Sequence, residues 1–153
     1  MDLILWRHAE AHDLGAQGTD LERELTARGH KQASRVAAWL DRQLPDGARV
    51  FSSPAQRTVQ TVEALGRKYK LRDELAPGAL PAALLDVVQW PEGRGTVLVV
   101  GHQPTLGQTV AQLLGTVEPE LALRKGALWW LRTREREGQR QTIVVAVQAP
   151  DTV

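Results

Sequence analysis

Four residues suited to phosphate chemistry stand at or just after the ends of predicted strands. Arg7 and His8 follow the apolar run at 3–6, and His102 follows a second apolar run that ends at residue 100. Arg57 comes one turn into a helix that is predicted to follow a shorter strand. A guanidinium binds phosphate oxygens through paired, charge-assisted hydrogen bonds, and a neutral imidazole is a nucleophile. The four side chains together would form an anion cradle with a nucleophile inside it.

Metal binding is the main alternative for the first histidine. His8, Glu10 and His12 follow one another at two-residue steps, and the first two match the start of the His-x-Glu pattern of zinc deaminases. That pattern needs a later pair of cysteines, and the chain has no cysteine. We therefore expect no metal and no cofactor, and we interpret Glu10 and His12 as loop residues at the edge of the site.

The elements that must position these residues alternate between strand and helix. We expect a loop at 11–22, a first helix capped by Thr26, and a second helix after the turn at 52–54. The other predicted elements are strands at 3–6, 49–51, 70–75 and 96–100, helices at 82–89 and 105–114, and a hairpin of strands at 128–134 and 141–147.

This order predicts one α/β domain over residues 1–153. We expect a three-layer α/β/α sandwich with a mostly parallel central sheet, a C-terminal hairpin and no cap domain. Functional groups in such folds gather beyond the carboxyl ends of the strands. The residues that follow the first, second and fourth strands should therefore meet there.

Composition excludes several classes of function. The chain has 19 Lys and Arg against 18 Asp and Glu, a net charge of +1, whereas nucleic-acid binders carry a strong basic excess. We interpret the arginine-rich segment 132–140 as a solvated hairpin, because Glu135 and Glu137 interleave with its arginines. The apolar runs are too short for a membrane span or a secretory signal, and the lack of cysteine makes the reducing cytoplasm the default location.

Four blocks, in order along nearly the whole chain, resemble the histidine phosphatase superfamily, which includes the phosphoglycerate mutases. The blocks are LILWRHAEA at 3–11, DLERELTARGHKQA at 20–33, FSSPAQRTVQT at 51–61 and VLVVGHQPTLG at 97–107. One Arg-His pair is a weak signal, but four blocks in register are a strong one. Within the superfamily the chain looks most like the short bacterial phosphohistidine phosphatases of the SixA type.

The resemblance implies a role for each matched residue of the cradle. His8 would be the nucleophile and would carry the phosphoryl group as a phosphohistidine intermediate. Arg7 and Arg57 would clamp the phosphoryl oxygens. His102 would hydrogen-bond the same group and stabilise the charge that develops in the transition state.

Two further residues would line the pocket by the same resemblance. Arg23 matches an arginine found in the short subgroup, and Ser53 would contribute at the rim. No metal is implied, because guanidinium and imidazole groups supply the positive charge that magnesium supplies in other phosphoryl-transfer enzymes. The implied occupant is phosphate or a phosphate-like anion.

The chain departs from the usual family pattern at two places. The usual Arg-His-Gly reads Arg-His-Ala here, as it often does in the SixA-type subgroup, and Ala9 would make a positive φ costlier than glycine would. Many relatives also carry an acidic residue after the third strand, which protonates the leaving oxygen. Pro77 stands in its place here, with Asp73 and Glu74 nearby.

The missing acid and the chain length favour phosphohistidine on a protein as the substrate. An imidazole leaving group needs less acid assistance than an alkoxide does. Only 34 residues separate Thr61 from Thr96, where larger relatives insert a helical cap, so we expect a shallow, open site. The sequence thus predicts a metal-independent phosphatase acting on a signalling or phosphotransfer protein. The alternatives are a phosphatase of small sugar or nucleotide monoesters and a non-catalytic module that binds phosphorylated ligands.

Overall fold

Six strands and four helices form the chain in a computed structural model, which describes residues 1–16 and 18–153. The strands are β1 (Asp2–Arg7), β2 (Arg49–Ser52), β3 (Lys70–Leu71), β4 (Thr96–Gly101), β5 (Leu128–Arg136) and β6 (Gln139–Gln148). The helices are α1 (Ala27–Gln43), α2 (Gln56–Glu63), α3 (Pro81–Val88) and α4 (Thr105–Leu114).

The strands form one mixed sheet in the order β3-β2-β4-β1-β5-β6. The first four run parallel, β5 is antiparallel to β1, and β6 is antiparallel to β5. Arg7 pairs in register with Gly101, and Ser52 pairs with Val100. The ends of β1, β2 and β4 therefore meet at one side of the sheet, called the carboxyl edge below. Because of their direction, β5 begins and β6 ends at this same edge.

The side chains of β1 alternate between two faces of the sheet, as the period of a strand requires. Both faces are covered by helices, which explains why β1 is a continuous apolar run rather than an alternating one. On one face, Leu3 and Leu5 share a core cluster with Leu84 of α3 and Leu106 of α4. On the other face, Ile4 and Trp6 share a cluster with Leu40 of α1 and Val62 of α2. The predicted three-layer α/β/α architecture is confirmed.

Local signals at the element ends are confirmed at two places. The Thr26 hydroxyl caps α1 by accepting a hydrogen bond from the Gly29 N–H at 2.9 Å. Glu137 and Gly138 join β5 to β6 with φ angles of 54° and 75°. Two successive positive φ angles are the geometry that a two-residue hairpin turn requires.

The third predicted strand, at 70–75, is wrong beyond its first two residues. Leu71 pairs with Ser52, the last residue of β2, so the chain has no partner strand after this point. The chain instead forms a 3₁₀ turn at Asp73–Leu75, which places Leu75 in the core with 3% of its surface exposed.

The segment between β1 and α1 contains a 3₁₀ turn at Asp20–Glu22. Gln17, within the predicted loop at 11–22, lies outside the described residues. No helix in 1–16 or 18–153 is long and apolar enough to cross a bilayer.

Candidate active site

The structure brings the two predicted histidines and two predicted arginines together at the carboxyl edge. The rings of His8 and His102 have centroids 5.4 Å apart. Both rings are buried, as is Arg57, while Arg7 is half-buried. The positive charges of Arg57 and Arg7 both lower the pKa of His8, as expected for groups that share one pocket.

His8 is held in the tautomer that a nucleophile needs. Its Nδ1 lies 2.7 Å from the carbonyl oxygen of Ala9. Because a carbonyl can only accept, Nδ1 carries the proton and Nε2 keeps its lone pair. Burial first, and then the charges of the neighbouring arginines, lower the pKa of His8 to about 4, against the opposing effect of the Ala9 hydrogen bond. At neutral pH the imidazole is therefore uncharged and its Nε2 is available.

His102 is positioned by Ser53. Its Nε2 lies 2.7 Å from the Ser53 hydroxyl oxygen, and the Ala55 N–H donates a hydrogen bond to that oxygen at 3.3 Å. Burial, followed by the charge of Arg57, lowers the pKa of His102 to about 3. The expected rim position of Ser53 is wrong: the residue is 0% exposed, and its hydroxyl contacts the histidine. It is buried because the chain turns directly from β2 into α2 at this point.

The arginines are fixed by oxygen acceptors on the protein. Arg7 donates through Nη1 to the Leu123 carbonyl at 2.7 Å. Arg57 donates through Nη1 to the Asp20 carbonyl at 2.7 Å and through Nη2 to the Asp20 carboxylate at 3.1 Å. Arg23 donates to the same carboxylate at 3.1 Å. Both terminal nitrogens of the Arg57 guanidinium are thus held by Asp20, and its buried Nε has no partner among the described residues.

Asp20 is a residue of the candidate site that the sequence interpretation missed. The available signal was its place three residues before Arg23, a spacing at which opposite charges pair within a turn. Burial raises its pKa, but hydrogen bonds from Arg23 and Arg57 outweigh this and hold the pKa below its usual value. Asp20 therefore stays ionised at neutral pH and is unsuited to act as a general acid.

Several nitrogens of this pocket lack a hydrogen-bond partner within the described chain. Among the residues described, four buried side-chain polar atoms have none, and three of them belong to the site: Arg7 Nε, Arg57 Nε and His102 Nδ1. An unsatisfied buried polar group costs about 1–3 kcal/mol. Burial, followed by the charge of Arg57, also lowers the pKa of Arg7, which is the mark of a site short of negative charge. A bound oxyanion would supply both the acceptors and the charge.

The backbone just after His8 contacts both α1 and α2 directly. The Ala9 N–H donates to the Thr61 hydroxyl at 3.1 Å, and that hydroxyl donates to the Arg57 carbonyl at 2.7 Å. Gly29, in the first turn of α1, lies so close to the Glu10 carbonyl that a Cβ atom at this position would overlap it. These contacts explain the Leu-Thr-x-x-Gly and Arg-x-x-x-Thr spacings around the site.

Ala9 does not adopt the positive φ that would be costly for alanine. Gln89 and Glu137 are the non-glycine residues with positive φ among those described, and Ala9 is not one of them. Ala9 is also fully buried, where its methyl group packs with Ala33 of α1. Alanine in place of the usual glycine thus fills space at no conformational cost.

Gly107 of α4 helps to place the Leu123 carbonyl that accepts a hydrogen bond from Arg7. A Cβ atom there would overlap the Leu121 carbonyl, and the Gly107 carbonyl accepts a hydrogen bond from the Leu121 N–H at 3.1 Å. This close approach leads the chain toward Leu123, whose carbonyl accepts from Arg7. The block VLVVGHQPTLG therefore supplies both His102 and the support of the opposite arginine.

The remaining acidic residues and the third histidine considered in the sequence either contact other residues or are exposed. Glu74 forms an ion pair with Arg72 at 2.6 Å, and Asp73 is exposed. Glu10 accepts from the Thr26 hydroxyl at 2.8 Å, and His12 is exposed. Within residues 1–16 and 18–153, no group of three His, Cys, Asp or Glu side chains has the arrangement of a metal site.

Comparison with known proteins identifies the family. The model of the histidine phosphatase superfamily (branch 1) matches residues 3–78. The phosphohistidine phosphatase SixA of Escherichia coli (strain K12) is 32% identical over 121 residues, which cover 74% of this chain and 74% of that protein. This chain is a SixA-type member of the histidine phosphatase superfamily.

Other SixA proteins show the same relationship. A phosphohistidine phosphatase SixA homolog of Haemophilus influenzae is 28% identical over 134 residues, covering 78% of this chain and 80% of that protein. A structure of the protein histidine phosphatase SixA in complex with tungstate superposes with a TM-score of 0.79 at 27% identity, covering 99% of this chain and 98% of that one. The SixA-type fold therefore extends over nearly all of the chain.

Proposed function

We propose that the protein is a metal-independent phosphatase that removes the phosphoryl group from phosphohistidine on a signalling or phosphotransfer protein. The observation that carries the proposal is the state of His8. The Nδ1–H of His8 donates a hydrogen bond to the Ala9 carbonyl, and the pKa of His8 is about 4. An unprotonated Nε2 therefore lies near two arginines and a second histidine. A nucleophile beside positive charge is what phosphoryl transfer requires.

The reaction proceeds in two steps. In the first, Nε2 of His8 attacks phosphorus, the phosphorus–nitrogen bond of the substrate breaks, and the substrate imidazole leaves with a proton. In the second, water attacks phosphorus and the bond to His8 breaks, which yields inorganic phosphate and free His8. The substrate imidazole takes its proton from solvent, and the attacking water releases one proton to solvent in the second step.

Each arginine and the second histidine act on the phosphoryl oxygens. Arg7 and Arg57 are placed to neutralise these oxygens, and His102 is placed to donate a hydrogen bond as charge develops. A phosphate dianion between the two histidines would raise the pKa of His102, which burial and Arg57 hold low in the free site. Arg23 shares Asp20 with Arg57 and supplies further positive charge at the entrance.

A phosphoramidate substrate fits the state of the two carboxyl groups nearest in role to a general acid. Asp20 is held ionised by two arginines, and Glu74 is paired with Arg72, so neither carboxyl group is set to protonate an alkoxide. An imidazole is expelled with less assistance. The reaction requires neither metal nor nucleic acid, and we place it in the cytoplasm because the chain has no cysteine to oxidise.

The test is a comparison of rates in the presence of EDTA. A phosphohistidyl phosphotransfer protein would be compared with a panel of sugar and nucleotide monoesters, and the His8→Ala protein would serve as the blank. We expect strong preference for the phosphohistidyl protein, inhibition by vanadate, no loss in EDTA, and no turnover by His8→Ala. Rapid quenching should also trap an acid-labile phosphoryl group on the wild-type protein.

Other outcomes would assign a different function. Preference for an ester would make the protein a phosphatase of small metabolites and would require an acid that the free site does not present. Binding of phosphohistidine without turnover would make it a recognition module. Undiminished turnover by His8→Ala would exclude the mechanism itself.

A further inference from the structure

A groove of about 520 Å³ lies at the carboxyl edge, beside the site. It runs between the first half of α1 and the chain at 124–125 and 150–151. These segments are at the same edge as the site because they lie just before β5 and just after β6. Lys125 adjoins Gly126, whose N–H donates to the His8 carbonyl at 3.0 Å. One wall of the groove is therefore attached directly to the strand end that carries the nucleophile.

The groove is strongly basic although the whole chain is almost neutral. Its five cationic side chains are Arg28, Lys31, Arg35, Arg124 and Lys125, and its carboxylates are Glu10 and Asp151. Five positive and two negative charges give +3, against +1 for the chain of 153 residues.

The two carboxylates are already engaged with neighbouring residues. Glu10 accepts from the Thr26 hydroxyl at 2.8 Å, and Asp151 is held by Arg124 at 2.9 Å. Lys31 and Lys125 are exposed and form no ion pair with a residue in 1–16 or 18–153. The groove therefore presents charge that the described chain does not neutralise.

We propose that this groove docks an acidic surface of the protein that carries the phosphohistidine. The inference rests on the proposed function, because it concerns the protein substrate of that reaction. It states that the surface around the phosphohistidine of this substrate is negatively charged. A positive groove beside the nucleophile attracts a negative partner at long range and favours the orientation that presents its phosphoryl group to His8. The free charge of the groove comes from separate lysines, Lys31 and Lys125, which suit the spaced carboxylates of a protein surface.

A second basic groove provides a matched control. It has a similar volume, about 570 Å³, and is lined by Arg49, Arg67, Lys68 and Lys70. Arg49 and Lys70 are the first residues of β2 and β3, so this groove lies toward the opposite edge of the sheet. If net charge alone governs association, the two grooves should be equivalent.

The experiment compares two double variants with the same change of charge. Lys31→Glu with Lys125→Glu alters the groove beside the site, and Lys68→Glu with Lys70→Glu alters the control groove. Each is assayed on an acidic phosphohistidyl phosphotransfer domain, on histone phosphorylated chemically on histidine as a basic protein substrate, and on phosphoramidate as a small substrate. Each assay is repeated across a range of salt concentrations.

We expect the first double variant to lose about tenfold in kcat/KM on the acidic domain, mainly through KM, with a weaker dependence on salt. Its rate on phosphoramidate should change by less than twofold, and its rate on phosphohistone should not fall. The control double variant should lose less than twofold on the acidic domain. Circular dichroism and thermal unfolding would verify that both variants are folded.

Equal losses in the two double variants, or no loss in either, would overturn the docking proposal and leave the proposed function intact, provided that turnover depends on His8. Tight binding of single-stranded DNA that is lost in the first variant only would assign the groove to nucleic acid. If the wild-type protein hydrolyses phosphoramidate but no phosphohistidyl protein, the assignment of a protein substrate fails, and the docking proposal fails with it.

Discussion

Two groups of arginines, at opposite ends of the molecule, show how the same residue type serves different purposes. At the carboxyl edge, the side chain of Arg57 is 5% exposed, and backbone and carboxylate oxygens of Asp20 hold it in place. Along the hairpin of β5 and β6, Arg132 and Arg140 are 46% and 43% exposed and pair with Asp2 and Glu92. Both groups form ion pairs, so pairing alone does not identify a binding site.

The difference lies in burial and in what remains unsatisfied. Arg57 keeps a buried Nε without a partner beside a second arginine and two uncharged histidines. The hairpin arginines face water, which screens their charge and satisfies their donors, and exposed pairs of this kind contribute only about 0–1 kcal/mol. We therefore infer that Arg57, which the fold removes from water with one donor unpaired, is better suited to bind an anion than the hairpin arginines are.

Of the two groups of arginines, the one in the site should show the larger effect when an arginine is removed. We expect Arg57→Ala to lower kcat/KM on a phosphohistidyl protein about a hundredfold or more, because a charge donor to the transition state is lost. Arg57→Lys should recover only part of this loss, since an ammonium group cannot replace the planar fork. Steady-state kinetics would test both variants, and wild-type activity in Arg57→Lys would refute a role for guanidinium geometry.

Neutralising the carboxylate that holds the site arginines should have an intermediate effect. We expect Asp20→Asn to lower kcat about tenfold, since Arg57 and Arg23 lose a charge-assisted hydrogen-bond acceptor. Affinity for inorganic phosphate should not fall, because the same change leaves more positive charge in the pocket. Kinetics and phosphate inhibition would separate the two effects.

Glu22 supplies the control for that substitution. It lies in the same 3₁₀ turn, is exposed, and accepts a hydrogen bond from the Thr19 hydroxyl at 2.8 Å rather than from an arginine of the site. Glu22→Gln changes the net charge equally and should leave kcat within twofold of wild type. A tenfold loss in Glu22→Gln would show that net charge, rather than the Asp20 contact, sets the rate.

Acid should weaken the fold through the site histidines. The pKa values of His8 and His102 fall from 6.5 in the unfolded chain to about 4 and about 3 in the folded one. As pH falls below 6.5 the unfolded state binds more protons, so the free energy of unfolding decreases down to pH 4 for His8 and to pH 3 for His102. The slope is up to about 1.4 kcal/mol per pH unit for each histidine.

Urea unfolding between pH 7 and pH 4.5 would measure this slope. The His102→Asn variant keeps a hydrogen-bonding side chain next to Ser53 and should show a smaller decrease than the wild type. Saturating phosphate should also reduce the decrease, because a bound anion favours the charged imidazole. An identical slope in variant and wild type would show that the pKa of His102 is the same in the folded and unfolded states, contrary to this prediction.

Removing an arginine from the hairpin should have the smallest effect. We expect Arg140→Ala to change the free energy of unfolding by less than about 0.5 kcal/mol, as for a typical exposed ion pair. Its kcat/KM should stay within twofold of wild type on both small and protein substrates. A large loss on the protein substrate alone would extend the docking surface to the far end of the hairpin.

Much of the fold follows from local signals in the chain. The apolar runs of β1 and β4 predict buried parallel strands, Thr26 marks the start of α1, and α4 lies at the predicted residues 105–114. These signals are reliable because they depend on burial, capping and turn geometry within a few residues. The third strand was predicted too long because its length depends on where its partner β2 ends, which is not a local property.

The composition of the cradle was also determined by the sequence. Arg7 ends a strand, His8, Arg57 and His102 come after strand ends, and parallel strands deliver their ends to one edge. Only the tertiary structure decided how these residues are held. Residue type and spacing do not show that Ser53 is buried against His102 or that Asp20 holds two arginines. Both depend on contacts between segments far apart in the chain, and the pKa values of the histidines depend on the burial that those contacts produce.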